Sequence, residues 1–187
     1  MKLRLSKTDM VQKLKSFLSH ELDEKELSPW ASKVIIAKGK GKLMPSDIDN
    51  TAIGQILLRL DFNEPEAPFS MAEARYYINC LEKCEDEMAA ILCIRFWRFR
   101  DQMKKMLQKY LSGALSQEHF DRWKLSINEQ TVDEPFNFNL SKLTEQQLQT
   151  LGKHLLVEGD PIKDLDILCE MDLLDTGDSG NKVPGSE

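Results

Sequence analysis

Leu14-Lys15-Ser16-Phe17-Leu18-Ser19, followed by Leu22, Leu27 and Trp30, returns 93 positions later as Leu107-Gln108-Lys109-Tyr110-Leu111-Ser112, followed by Leu115, Phe120 and Trp123. The two copies align without a gap. Over positions 14 to 30, five of seventeen pairs are identical, and Phe17/Tyr110 and Leu27/Phe120 exchange like for like. Any amphipathic helix supplies regularly spaced leucines. A shared Trp and a shared aromatic-Leu-Ser go beyond what an apolar stripe requires, so the spacing predicts a duplicated helical unit.

Working outward, helix signals recur along the whole chain. Thr8 or Ser6 can cap a helix with Met10, Val11, Leu14, Phe17 and Leu18 on one stripe, ending near His20. Asp23 and Glu26 form a capping arrangement for a second helix carrying Leu27, Trp30, Ala31, Val34 and Ile35, which Gly39 and Gly41 stop. Pro45-Ser46 predicts the start of a third, with Ile48, Ala52, Ile53, Ile56, Leu57 and Leu60 inward. After the Pro65 to Pro68 loop, Ser70-Met71-Ala72-Glu73 reads as a capping box for a fourth.

From Ser70 to Gly113 there is neither Gly nor Pro. The acids Glu85, Asp86 and Glu87 sit where a new N-terminus wants negative charge. A fourth helix over roughly 70 to 84 and a fifth over 86 to 112 follow, the latter with Met88, Leu92, Phe96, Phe99, Met103, Met106, Leu107 and Tyr110 inward. Ser116 caps a sixth helix through Trp123 and Ile127. Thr144 caps a seventh with Leu148, Leu151, Leu155 and Leu156, and an eighth carries Ile162, Leu165, Leu168 and Met171. The alternation Phe136-Asn137-Phe138-Asn139-Leu140 could form one short strand, but no second strand is evident to pair with it. The expected fold is therefore all-α: two related four-helix units, 1–84 and 85–175, and a disordered acidic tail, 176–187. Trp30 and Trp123, equivalent in the two copies, are expected to share a core role.

Composition narrows the function classes. With 41% hydrophobic residues in 187, the chain can build a real core without staples. Its four cysteines form no disulfide framework, and neither an apolar leader nor a membrane-length run is present, so a soluble, cytoplasmic protein is expected. Net charge is −6, and from Glu158 onward nine acids face two lysines, leaving the rest near neutral. That balance argues against general nucleic-acid affinity and suits a basic protein partner. Asp164, Asp166, Glu170 and Asp172 are the candidate partner-binding residues. A second candidate surface is the basic face Arg95, Arg98, Arg100, Lys104 and Lys105, where arginines interleave with aromatics as in single-strand binding.

Signals of chemistry are few. Cys80 and Cys84 would share a helical face, but no C-x-x-C or H-x-x-x-H spacing accompanies them, and His20, His119 and His154 lie far apart. The cysteines read as small apolar residues. A nucleophile elbow and a phosphate loop are both absent from the sequence. No catalytic residue, cofactor or metal site is predicted.

The pattern Phe17-Leu18-x-x-x-Leu22-x-x-x-x-Leu27-x-x-Trp30-Ala31, with Ile56-Leu57-Leu58-Arg59-Leu60-Asp61 and Phe69-Ser70-x-x-Glu73, resembles a loose family of small bacterial all-helical proteins. Some of these stand beside secreted toxins as immunity-type proteins. The likeness covers residues 8–84, with a weaker copy over 100–157. The chain departs by being doubled, by Ala114 where the first copy has Glu21, and by its Gly39-Lys40-Gly41 loop. The motif carries no functional residues. The resemblance implies a non-catalytic protein-binding role in a bacterial cytoplasm, with neutralisation of a cognate toxin as its particular form. A helical adaptor contacting nucleic acid through the basic face is the alternative reading, and an enzyme of unknown chemistry a further one.

Overall fold

Helices begin where the sequence supplies caps. In the computed structural model, which describes residues 4–43, 50–62, 68–131, 138–157 and 159–174, Ser6 accepts from the Asp9 N–H. Asp9 reaches back to the Ser6 N–H, closing a capping box on α1 (Lys7–Leu18). Asp23 with Glu26 and Thr144 with Gln147 do the same for α2 (Glu24–Gly39) and α7 (Glu145–Leu156). Thr51 opens α3 (Ala52–Asp61), Ser70 opens α4 (Met71–Lys83), and Ser116 opens α6 (Gln117–Gln130). Asp86 accepts from the Ala89 N–H at 2.7 Å ahead of α5 (Glu87–Leu111). Asp160 accepts from the Ile162 N–H at 3.1 Å ahead of α8 (Pro161–Glu170).

The protein is all-α, with no β-strand among the described residues. The alternating stretch at 136–140 lies partly outside them, and its described end leads into a 3-10 turn, Leu140–Lys142. The expected opening of the third helix at Pro45-Ser46 and the acidic tail 176–187 also lie outside the described residues. The break expected between the fourth and fifth helices is present: α4 ends at Lys83, and Cys84 is extended (φ −67°, ψ 131°).

The fold divides into two compact units, one from the described residues of Met1–Trp97 with Asp160–Ile162, the other from those of Arg98–Gly159 with Lys163–Glu187. The division falls inside α5.

In the first unit α1 packs on α4 and α2 on α3, because Met10, Leu14, Leu27, Ile56, Leu57, Leu60, Tyr76 and Tyr77 withdraw fully from water. Phe69 stands 5.5 Å from Phe17 and 5.9 Å from Tyr77, ring centre to ring centre. Glu87 joins three helix ends: its carboxylate accepts the Ala52 N–H at 2.6 Å and pairs with Lys7 at 3.0 Å. Glu73 does not close the expected box with Ser70. Its carboxylate is buried, pairs with Arg59 at 2.8 Å and accepts the Tyr77 hydroxyl at 2.8 Å. Burial outweighs both partners and holds the Glu73 carboxyl above the ordinary glutamate range.

In the second unit Tyr110 stacks on Phe120 at 3.9 Å, Phe120 lies 5.5 Å from Trp123, and Phe99 meets Phe138 edge-on at 5.5 Å. One expected stripe does not run the length of α5. Met88 is 60% exposed, and Ala90, Ile91, Cys93 and Ile94 are buried in its place, whereas Phe99, Met103 and Leu107 are buried further along. A helix that contributes to two cores need not bury the same face in each.

The turns after α1 and α5 share three hydrogen bonds at the 93-residue offset. Ser19 N–H donates to Lys15 O, His20 to Phe17 O and Leu22 to Ser16 O; Ser112 donates to Gln108 O, Gly113 to Tyr110 O and Leu115 to Lys109 O. His20 and Gly113 both have positive φ (60° and 73°), the left-handed conformation that glycine adopts without strain. The two tryptophans differ, however. Trp123 is buried, with its Nε1 finding no hydrogen-bond partner among the described residues, while Trp30 is half-buried under Lys13, 5.2 Å from the ring centre. The shared core role holds for Trp123 alone.

Trp123→Ala is expected to cost about 3–5 kcal/mol, and Trp30→Ala roughly 1 kcal/mol, the scale of an exposed cation–π contact. Urea melts of both variants check this, and equal losses contradict it. Glu73 gives a pH test. Because its folded pKa is raised, its favourable contribution is complete below the unfolded value and is lost as pH rises through the folded one. Relative to Glu73→Gln, the parent is expected to lose stability as pH rises through and above the ordinary glutamate range, and parallel curves would contradict the raised pKa.

Candidate functional site

The two surfaces expected from the sequence meet inside the second unit, through one residue of each. Asp164, from the acidic set, is fully buried, and Arg100, from the basic set, is 5% exposed. Arg100 Nε donates to Asp164 Oδ2 at 3.1 Å. Its two remaining nitrogens donate to carbonyls at the end of α7, Leu155 O at 3.5 Å and Val157 O at 2.9 Å. Those carbonyls have no successor turn to accept from, so a guanidinium is a natural C-terminal cap. His154 Nε2 donates to Asp164 Oδ1 at 2.6 Å. One carboxylate thus ties α5, α7 and α8 together.

Asp164 and Arg100 are therefore corrections to the two expected surfaces. On α8 the apolar stripe Ile167, Leu168 and Met171 is buried, and Asp164 lies on that same side, three residues before Ile167. Asp166 and Glu170 are exposed, as is Asp172 beyond the helix end, at φ 53°. On α5, Arg98 and Lys105 are exposed while Arg95 and Lys104 are half-buried. Lys105 pairs with Asp101 one turn earlier at 2.6 Å. The basic face is thus smaller than five residues and partly neutralised, which weakens a phosphate-contacting role.

The same unit carries an open groove that the sequence reading missed. Gln108, Lys109, Leu111, Ser112, Gly152, Lys153 and Leu156 line it. At Gly152 α7 lies close to the end of α5: a Cβ built there would stand 2.8 Å from Leu111 Cδ1, so a larger residue would have to push that terminal methyl aside. Leu111 is 38% exposed and Leu156 51% exposed. Leu156 departs from the inward position expected for it: adjacent leucines on a helix point about 100° apart, and Leu155 takes the core position. A glycine inside a helical pattern, followed by paired leucines, was the available signal.

Among the described residues, no group of three or more potential ligands is arranged to hold a metal ion, and no helix is long and apolar enough to cross a membrane. Compared with known proteins, the chain matches no family model and has no significant match to a curated sequence or a solved structure.

Asp164→Asn leaves Arg100 buried without its counter-charge and is expected to cost about 3–5 kcal/mol. Asp166→Asn, Glu170→Gln and Asp172→Asn, all exposed, are expected to stay within about 0.5 kcal/mol of the parent. Thermal melts followed by circular dichroism distinguish the two groups, and a near-neutral Asp164→Asn removes the bridging role.

Proposed function

We propose that the protein is a non-catalytic protein-binding module whose contact surface is the groove between the end of α5 and α7. The observation that carries this reading is the convergence of two half-exposed leucines, Leu111 and Leu156, on one groove floored by Gly152. Apolar side chains grouped in a concave surface favour association, whereas scattered ones do not. Lys109 and Lys153 flank them, so the fitting ligand is an amphipathic segment with apolar anchors and acidic neighbours, seated as a helix in a groove.

A basic partner, expected from the acidic end, would instead use Asp166, Glu170 and Asp172, a separate set of exposed side chains. Occlusion of a toxin's active surface is the particular form that the immunity-type resemblance implies. Internal duplication belongs to the same proposal. The three hydrogen bonds shared by the turns after α1 and α5 at one offset support an origin from one helical hairpin, the second copy ending beside the groove at Gly152.

The test is affinity capture with the full chain, followed by titration of the recovered protein against variants. Leu156→Asp is expected to weaken binding at least about tenfold, as loss of an interface anchor does, with no change in melting temperature. The Asp166→Asn, Glu170→Gln, Asp172→Asn triple variant is expected to bind as the parent does. The reverse pattern assigns binding to the acidic end.

A further inference from the structure

Three of the four cysteines converge in the first unit. Cys84 Sγ lies 3.9 Å from Cys93 Sγ, and Cys80, buried one turn before Cys84 on α4, interacts electrostatically with both. Cys80 and Cys93 are buried, Cys84 is half-buried, and Cys169 is exposed elsewhere. The sequence reading set Cys80 and Cys84 on one helical face as small apolar residues; the fold adds Cys93 from the second turn of α5. We propose that Cys84 and Cys93 are a peroxide-responsive dithiol, with Cys84 the sulfur that reacts and Cys93 the one that resolves it.

Each position suits its part. Cys84 is the extended residue between α4 and α5, outside both helices, so its sulfur can be reached by a small oxidant and its backbone can adjust. A disulfide needs the sulfurs at about 2.05 Å, so they must close by somewhat under 2 Å from contact. Cys93 is held inside the unit, where its thiol also lies 3.3 Å from the carbonyl oxygen of Pro161. Interaction with the Cys80 thiol first and the Cys93 thiol second stabilises the Cys84 thiolate and brings its pKa from 9.0 down to about 4; partial burial and Asp86 oppose this, and Lys7 adds to it. Burial pushes the Cys80 thiol well above 9.0, so it stays a donor. Thiolate is the nucleophilic form.

The chemistry balances with a hydroperoxide as oxidant. Cys84 S⁻ attacks the terminal oxygen, the O–O bond breaks, and Cys84 sulfenic acid forms as hydroxide or alkoxide leaves. Cys93 sulfur then attacks Cys84 Sγ, the S–O bond breaks, and the Cys93 proton leaves with the hydroxyl as water. Two electrons pass from the thiol pair to the peroxide, and an added dithiol reductant reverses the step.

The experiment treats the full, reduced chain with hydrogen peroxide and maps disulfides by mass spectrometry without reduction. A Cys84–Cys93 link is expected, and Cys93→Ser is expected to leave a Cys84 sulfenic acid that dimedone labels. Cys93→Ala serves if the serine is not tolerated at that buried site. Iodoacetamide labelling of Cys84 in the parent gives an independent readout. Its rate is expected to fall less than about threefold from pH 8 to pH 6, where an ordinary thiol slows about 100-fold. Oxidation confined to Cys169, a link between Cys80 and Cys84, or a 100-fold fall in the labelling rate of Cys84 overturns the proposal.

Discussion

A single buried carboxylate organises the second unit. Asp164 has no exposure, and a charge in that position is tolerable only if its oxygens are occupied by strong donors. Arg100 and His154 supply them, from two different helices. The guanidinium has donors to spare, and they go to the carbonyls of Leu155 and Val157 that the end of α7 leaves over. Position of α7 and pairing of Asp164 are therefore one problem with one solution. The groove depends on it too, since Gly152, Lys153 and Leu156 belong to the helix so held.

The first unit reaches a similar arrangement with different residues. Glu73 is buried between Arg59 and Tyr77, and the guanidinium of Arg59 also lies over the ring of Phe69, 5.8 Å from its centre. Burial still raises the carboxyl's pKa, so the network specifies a partner for Arg59 and Tyr77 more than it adds net stability. In both units the aromatic and aliphatic residues supply the driving force, and a buried carboxylate with its guanidinium joins helices across the core.

Function follows from what these cores leave outside. Once Arg100 and Asp164 are spent on each other, the half-exposed leucines Leu111 and Leu156 beside Gly152 remain at the surface of the second unit. The thiol cluster belongs to the other unit and relies on a different property, the close approach of Cys93 to the residue that ends α4.

The sequence by itself determined the all-helical class and most helix limits, because caps, glycines and prolines act within a few residues of where they stand. Ser6, Asp23, Ser70, Ser116 and Thr144 were all legible in this way. It also set the paired turns after Leu18 and Leu111, which local hydrogen bonds close. Only the tertiary structure decided which charges are surface and which are core. Arg100 and Asp164 are 64 residues apart, and each looks like an ordinary helix-surface charge until the other is brought within 3.1 Å. The same is true of Gly152 beneath Leu111 and of Cys93 beside Cys84, contacts that no helical period encodes. Periodicity reports which face of a helix is apolar. The identity of what covers that face is a property of the packed chain.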